Sequence, residues 1–126
     1  MRLVQDEPQV GAGEVKWAAG LYDGEGSSFL KSGNNPMYRY PVISVTNTDT
    51  EVLRRFNNAV GGLGRIDGPY NYNPKHKPKW ILRIDGFERA QAVIAMLWGD
   101  CSTAKRDQAR ATLGGVVMEN YRGIMA

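Results

Sequence analysis

Glu25 stands between two glycines in the stretch WAAGLYDGEGSSF (residues 17–29), so neighbouring side chains barely shield its carboxylate. An acid that bare is a candidate oxygen ligand for a cation. DGEG alone does not make a calcium loop, because its spacing lacks the further ligands such a loop needs. The other residues with chemistry to offer are basic. Residues 27–48 carry Lys31 and Arg39 and no acid, and residues 61–84 carry Arg65, Lys75, Lys77, Lys79 and Arg83 against Asp67 alone. Residues 1–26 are acidic on balance, and 49–60 and 85–126 each cancel. The excess positive charge behind the net +3 therefore lies in two blocks, which points to a polyanion as partner.

Most elements needed to position these residues are legible. Val15, Ala18, Ala19 and Tyr22 fall at helical spacing, predicting a first helix over about 14–23 that Gly24 and Gly26 end. Residues 27–31 read as a strand, SGNNP (32–36) as a turn, and RYPVISVTN (39–47) as the returning strand. The sequence TDTE (48–51) is a capping-box-like start to a second helix, with Val52, Leu53, Phe56, Ala59 and Val60 as its apolar face and Gly61-Gly62 as its stop. Leu63 to Tyr70 and KWILRID (79–85) read as strands around the polar loop NYNPKHKP (71–78). A third helix fits 86–98 and a fourth about 102–113, with Gly114-Gly115 before a weak C-terminal segment. The order is α-β-β-α-β-β-α-α, an α+β fold. Both basic blocks fall on hairpins, where alternation turns one face to the helices and the other to solvent. A four-stranded sheet with a polar, basic face can lie along a DNA groove.

Composition sets the outer bounds. A chain of 126 residues, 42% hydrophobic and 23% charged, suits one soluble domain. No apolar run approaches the roughly 20 residues needed to cross a bilayer, so no membrane role is expected. MRLVQDEPQVGAGE has no apolar signal core and two early acids, so secretion is not expected either. Cys101 is the single cysteine, which excludes an internal disulfide and a multi-cysteine zinc site and fits a reducing intracellular compartment, cytoplasm or organelle matrix. The expected organisation is a lead-in over 1–13, one domain over 14–113 and a tail over 114–126.

Ala18 to Gly26 also resembles the nine-residue signature helix of the LAGLIDADG homing endonucleases. It differs by alanine for the first leucine, tyrosine for isoleucine, glycine for the second alanine and Glu25 for the last aspartate. The αββαββα order over about 14–113 agrees with the family fold, and the resemblance implies a saddle-shaped antiparallel sheet. One motif in a chain of this length implies a homodimer, with the motif helices packed together through Ala18, Ala19, Gly20 and Leu21, and hence a near-palindromic target. It implies a metal-dependent, site-specific double-strand DNA endonuclease of the intron-encoded kind. There Glu25 and the Gly24 carbonyl would hold Mg²⁺ or another divalent metal near the two-fold axis, where two carboxylates would repel without a cation. Asp23 is assigned to structure at the helix end. Asn47 corresponds to a polar residue that helps position water. Lys105, with Arg106 as rival, corresponds to a lysine that approaches the active site from the C-terminal helical region.

Strand parity selects Phe29, Lys31, Tyr40, Ser44, Thr46, Arg65, Asp67, Lys79 and Arg83, with Lys75 and Lys77 beside them, as solvent-facing candidates for DNA contact. Tyr70, Tyr72 and Trp80 could stack on bases, although Trp80 falls on the apolar side and reads as core. Two alternatives remain at this stage: an intron RNA-binding maturase, which the same fold serves and against which the retained Glu25 argues, and a catalytically silent DNA-binding regulator.

Overall fold

The computed structural model describes residues 10–34 and 38–125, so most of the expected N-terminal lead-in lies outside the described residues. The elements run α1 (Ala12–Glu25), β1 (Gly26–Ser32), β2 (Arg39–Asn47), α2 (Thr50–Ala59), β3 (Arg65–Tyr70), β4 (Lys79–Asp85), α3 (Phe87–Leu97), a 3₁₀ turn (Trp98–Asp100) and α4 (Thr103–Met125). This is the αββαββα order with a further C-terminal helix. The strands form one antiparallel sheet in the order β1-β2-β4-β3.

The helices and the inner sheet face enclose a single described core. Ile43 and Val45 of β2 and Leu82 and Ile84 of β4 meet Leu53, Phe56 and Val60 from the α2 region, Val93 and Leu97 of α3, and Ala18, Ala19 and Tyr22 of α1. Val45 lies opposite Leu82 and Ile43 opposite Ile84, so period-2 alternation alone delivers these four to one face. Asp49 caps α2 by accepting the Glu51 N–H at 2.8 Å. The helix ends where Gly61 and Gly62 take φ of 87° and 73°, a left-handed conformation that side chains disfavour.

Two helix boundaries differ from the sequence reading, each for a packing reason. α1 continues through Gly24 to Glu25, and Gly26 closes it by donating its N–H to the Tyr22 carbonyl. α4 runs through Gly114-Gly115 without a break. A Cβ on Gly115 would stand 2.8 Å from the Leu30 side chain, so this glycine serves the close approach of α4 to β1 rather than a stop. α4 also covers the outer edge of β1. The Ser28 N–H donates to Gln108 Oε1 at 3.0 Å, and Thr112 Oγ1 donates to the Gln108 carbonyl at 3.0 Å beside Ser28 Oγ. An edge strand left bare would expose such N–H groups for pairing with another chain.

Candidate active site and nucleic-acid face

The C-terminus of α1 is built around Tyr22. Its ring is buried in the core, and a Cβ on Gly26 would come within 2.1 Å of it, so only glycine can follow Glu25. Gly24 has nothing within 4 Å of where a Cβ would stand. Burial pushes the Tyr22 hydroxyl up to about 12, against an ordinary 10.0. Ser28 offsets part of that desolvation, but the hydroxyl has no partner in hydrogen-bond geometry.

Glu25 is exposed, and its carboxylate makes no hydrogen bond or ion pair among the described residues. The final carbonyls of a helix lack helical partners and carry the negative end of its dipole. The Tyr22 carbonyl is taken by Gly26, leaving those after it beside Glu25. This all-oxygen donor set suits a hard cation such as Mg²⁺, which keeps waters and shares phosphate oxygens. No group of three or more His, Cys, Asp or Glu converges among the described residues.

Lys105 is brought to the same point by a relay of short contacts. Asp23 accepts the Ser102 N–H on both carboxylate oxygens, at 3.0 and 3.2 Å. Ser102 caps the start of α4, its Oγ accepting the Lys105 N–H at 3.3 Å. One turn into that helix, Lys105 Nζ donates to the Gly26 carbonyl and lies 5.7 Å from the centre of the Tyr22 ring. Arg106 turns the other way, donating to the carbonyls of Trp98 at 2.8 Å and Gly99 at 3.2 Å. Of the two rivals, Lys105 reaches the end of α1 and Arg106 does not.

Asn47 closes β2 opposite Trp80, two residues beyond Val45, which pairs with Gly26. Its Oδ1 accepts the Asp49 N–H at 2.8 Å, which leaves the side-chain NH₂ as its available donor. Cys101 has its thiol pushed up by burial and then by Asp23, so it is a poor nucleophile.

The outer sheet face gathers the basic residues as alternation predicts. Lys31 pairs with Tyr40, Ser44 with Arg83, Thr46 and Asp67 with Ile81, and Arg65 with Arg83. Lys77 and Lys79 are exposed at the start of β4. Like charges directly opposite each other are unfavourable. Arg65 relieves the conflict through Asp67 at 3.0 Å and Asp85 at 3.2 Å, whereas Arg83 has no ion-pair partner among the described residues. Arg65 and Arg83 line a cleft of about 280 Å³ with Asp85 and Arg89. Sequence reasoning missed Arg89, because it enters from the first turn of α3 and only tertiary packing brings it to the strands. The role of Tyr22 had a signal: an aromatic four residues before a glycine at a helix end.

Two expected interface residues need correction. Ala18 and Ala19 are fully buried in the chain's own core, where α1 packs on the sheet and on α2 and α3, so they offer no surface to a second copy. Gly20 is exposed with nothing within 4 Å of a Cβ position, and Leu21 is half-buried. Trp80 packs against the core, as its parity implied.

A helix ending on a glycine-flanked acid against an antiparallel sheet in this order is the architecture of the LAGLIDADG homing endonucleases, and the chain has their fold. Its structure is similar to that of the homing endonuclease I-TnaI, with a TM-score of 0.68 and 19% identity over 86% of this chain and 74% of that one. It is similar to the group I intron-encoded homing endonuclease I-CeuI, described in complex with DNA, with a TM-score of 0.65 and 21% identity over 92% of this chain and 59% of that one. The match to I-CvuI, described with its target in the presence of Ca, has a TM-score of 0.64 and 18% identity over 82% of this chain and 65% of that one. The chain thus spans less than two thirds of I-CvuI and of I-CeuI. No protein-family model matches the sequence, and no curated protein is similar to it. Among the described residues, no helix is long and apolar enough to cross a membrane.

Proposed function

We propose that the chain is a metal-dependent, site-specific endonuclease that cuts both strands of a long, pseudo-palindromic DNA site as a homodimer. The observation that carries this reading is an exposed, unpaired Glu25 at the end of α1, with the Lys105 ammonium bound to the carbonyl of the next residue, Gly26. The polar, basic sheet face begins one residue further on.

Glu25 and the Gly24 carbonyl would hold Mg²⁺ or a similar cation. When bound, such a cation supplies an activated water and stabilises the leaving oxyanion. Lys105 keeps a positive charge at the Gly26 carbonyl, where phosphate charge would accumulate. The free NH₂ of Asn47 is a donor that can orient a water. Lys31, Tyr40, Ser44, Thr46, Arg65, Asp67, Lys77, Lys79 and Arg83 would meet the DNA, the cations fixing register on phosphates or reading guanine edges. The second copy would pack on the exposed stripe of α1 through Gly20 and Gly24, flanked by Leu21. That arrangement brings two Glu25 carboxylates together and requires cations between them.

Cleavage of a randomised DNA library with Mg²⁺ tests the reading. Wild type should yield a pseudo-palindromic cut site, and Glu25→Gln should bind that site while losing cleavage by at least about a hundredfold. Undiminished cleavage by Glu25→Gln would refute the assignment. Enrichment of RNA, or of an uncut palindrome indifferent to Mg²⁺, would point instead to a maturase or a DNA-binding regulator.

A further inference from the structure

The loop between β3 and β4 carries a feature that neither the core nor the Glu25 site uses. Tyr70 and Tyr72 lie with ring centroids 6.1 Å apart and planes 6° from parallel, and Tyr72 is 84% exposed. Tyr72 thus lies parallel to a second ring and leaves a ring face open to water. A large aromatic left that exposed adds nothing to folding through burial. The register shift between Asp67 and Tyr70 brings Tyr70 opposite Lys79 and so turns the pair toward the basic face.

The two rings border a cleft of about 140 Å³ together with Asn73, His76, Lys77 and Lys79. The loop is held by its own hydrogen bonds. Asn73 Oδ1 accepts the Lys75 N–H at 3.0 Å, and the Asn73 carbonyl accepts the His76 N–H at 2.9 Å. Lys77 and Lys79 make no ion pair among the described residues, so two uncompensated cations line the cleft. A flat apolar face with flanking ammonium groups is complementary to a nucleobase with a phosphate on either side. A duplex offers only base edges, whereas a stacking face needs a base out of its stack.

We propose that this cleft holds one unstacked nucleotide of DNA, its base lying on the open face of Tyr72 and its flanking phosphates on Lys77 and Lys79. The proposal extends the DNA reading of the sheet and rests on it. Trp80 pairs with Asn47, so the cleft opens at the start of β4 beside the end of β2. The held nucleotide would therefore lie where the target strand approaches the Glu25 end of the sheet.

The test is fluorescence anisotropy of the full chain with a labelled thymidine oligomer of about twelve nucleotides, comparing wild type, Tyr72→Ala and Tyr72→Phe. Tyr72 is exposed and supports no core contact, so neither variant threatens the fold. Tyr72→Ala should bind about fivefold to a hundredfold more weakly, and Tyr72→Phe, which keeps the stacking face, within about twofold of wild type. No binding by wild type, or equal binding by wild type and Tyr72→Ala, overturns the proposal. Tighter binding of the matching uridine oligomer also overturns it, in favour of RNA. This readout involves no cleavage, so its failure is distinguishable from a failure of the endonuclease reading, which Glu25→Gln tests.

Discussion

Gly24 and Gly26 flank the same carboxylate but answer to different constraints. Gly26 is required by the chain itself, because a Cβ there would overlap the Tyr22 ring. Gly26→Ala is therefore expected to lose about 1–3 kcal/mol of stability in denaturant unfolding. Gly24→Ala meets open space on a helix of the single chain, so a cost comparable to that of Gly26→Ala is not expected within one chain. Tyr22 offers a second test at this scale. Its hydroxyl holds its proton up to about 12 in the folded chain and to an ordinary 10.0 in the unfolded one. The folded state therefore keeps the proton longer, and the stability this contributes is complete below pH 10.0 and is lost as pH rises toward about 12. Alkaline unfolding followed by circular dichroism should show a loss of about 2 kcal/mol over that window. Tyr22→Phe should lack that component and be at least as stable as wild type at neutral pH, because it removes a buried hydroxyl without a partner.

At the scale of elements, α4 presents a lysine to the end of α1, and the start of α4 is set by Asp23. The relay from Asp23 through Ser102 to Lys105 fits a structural role for the first acid of the motif: both its oxygens are engaged by a backbone N–H. Adjacent residues of α4 consequently have separable roles. Lys105→Met should lower the cleavage rate about a hundredfold while leaving DNA binding nearly intact. Arg106→Ala should lower the melting temperature, through lost bonds to the Trp98 and Gly99 carbonyls, with little change in cleavage per folded molecule. The reverse pattern would exchange the roles of the two residues.

For the whole molecule, the question is what covers α1. Its inner side is used by the chain's own core, including Ala18 and Ala19, and its outer side carries Gly13, Gly20 and Gly24 with open space beside each. Gly20→Leu separates folding from assembly. Within one chain the new side chain meets nothing and replaces a poor helix former, so the variant chain should still fold cooperatively. Between two copies it would force the helices apart. Light scattering should find wild type at twice the 14.0 kDa chain mass and Gly20→Leu as a monomer with greatly reduced cleavage. Wild type that stays monomeric while saturating DNA would refute the homodimer.

The sequence by itself determined the element order, the pairing face of each strand and the candidate acid, because these depend on local periods and on glycine chemistry. Ile43, Val45, Leu82 and Ile84 reached the core, and Lys31, Ser44, Arg65 and Arg83 the outer face, by alternation alone. Only the tertiary structure shows which of Lys105 and Arg106 reaches the end of α1, since neighbours on a helix point about 100° apart and the outcome depends on how α4 docks. It also assigned Ala18 and Ala19 to the core. A small residue suits a close contact inside one chain as well as one between two, and periodicity cannot say which helix or strand it touches. Gly115 makes the same point: read alone it is a helix stop, and against Leu30 it is the space that lets α4 lie on β1.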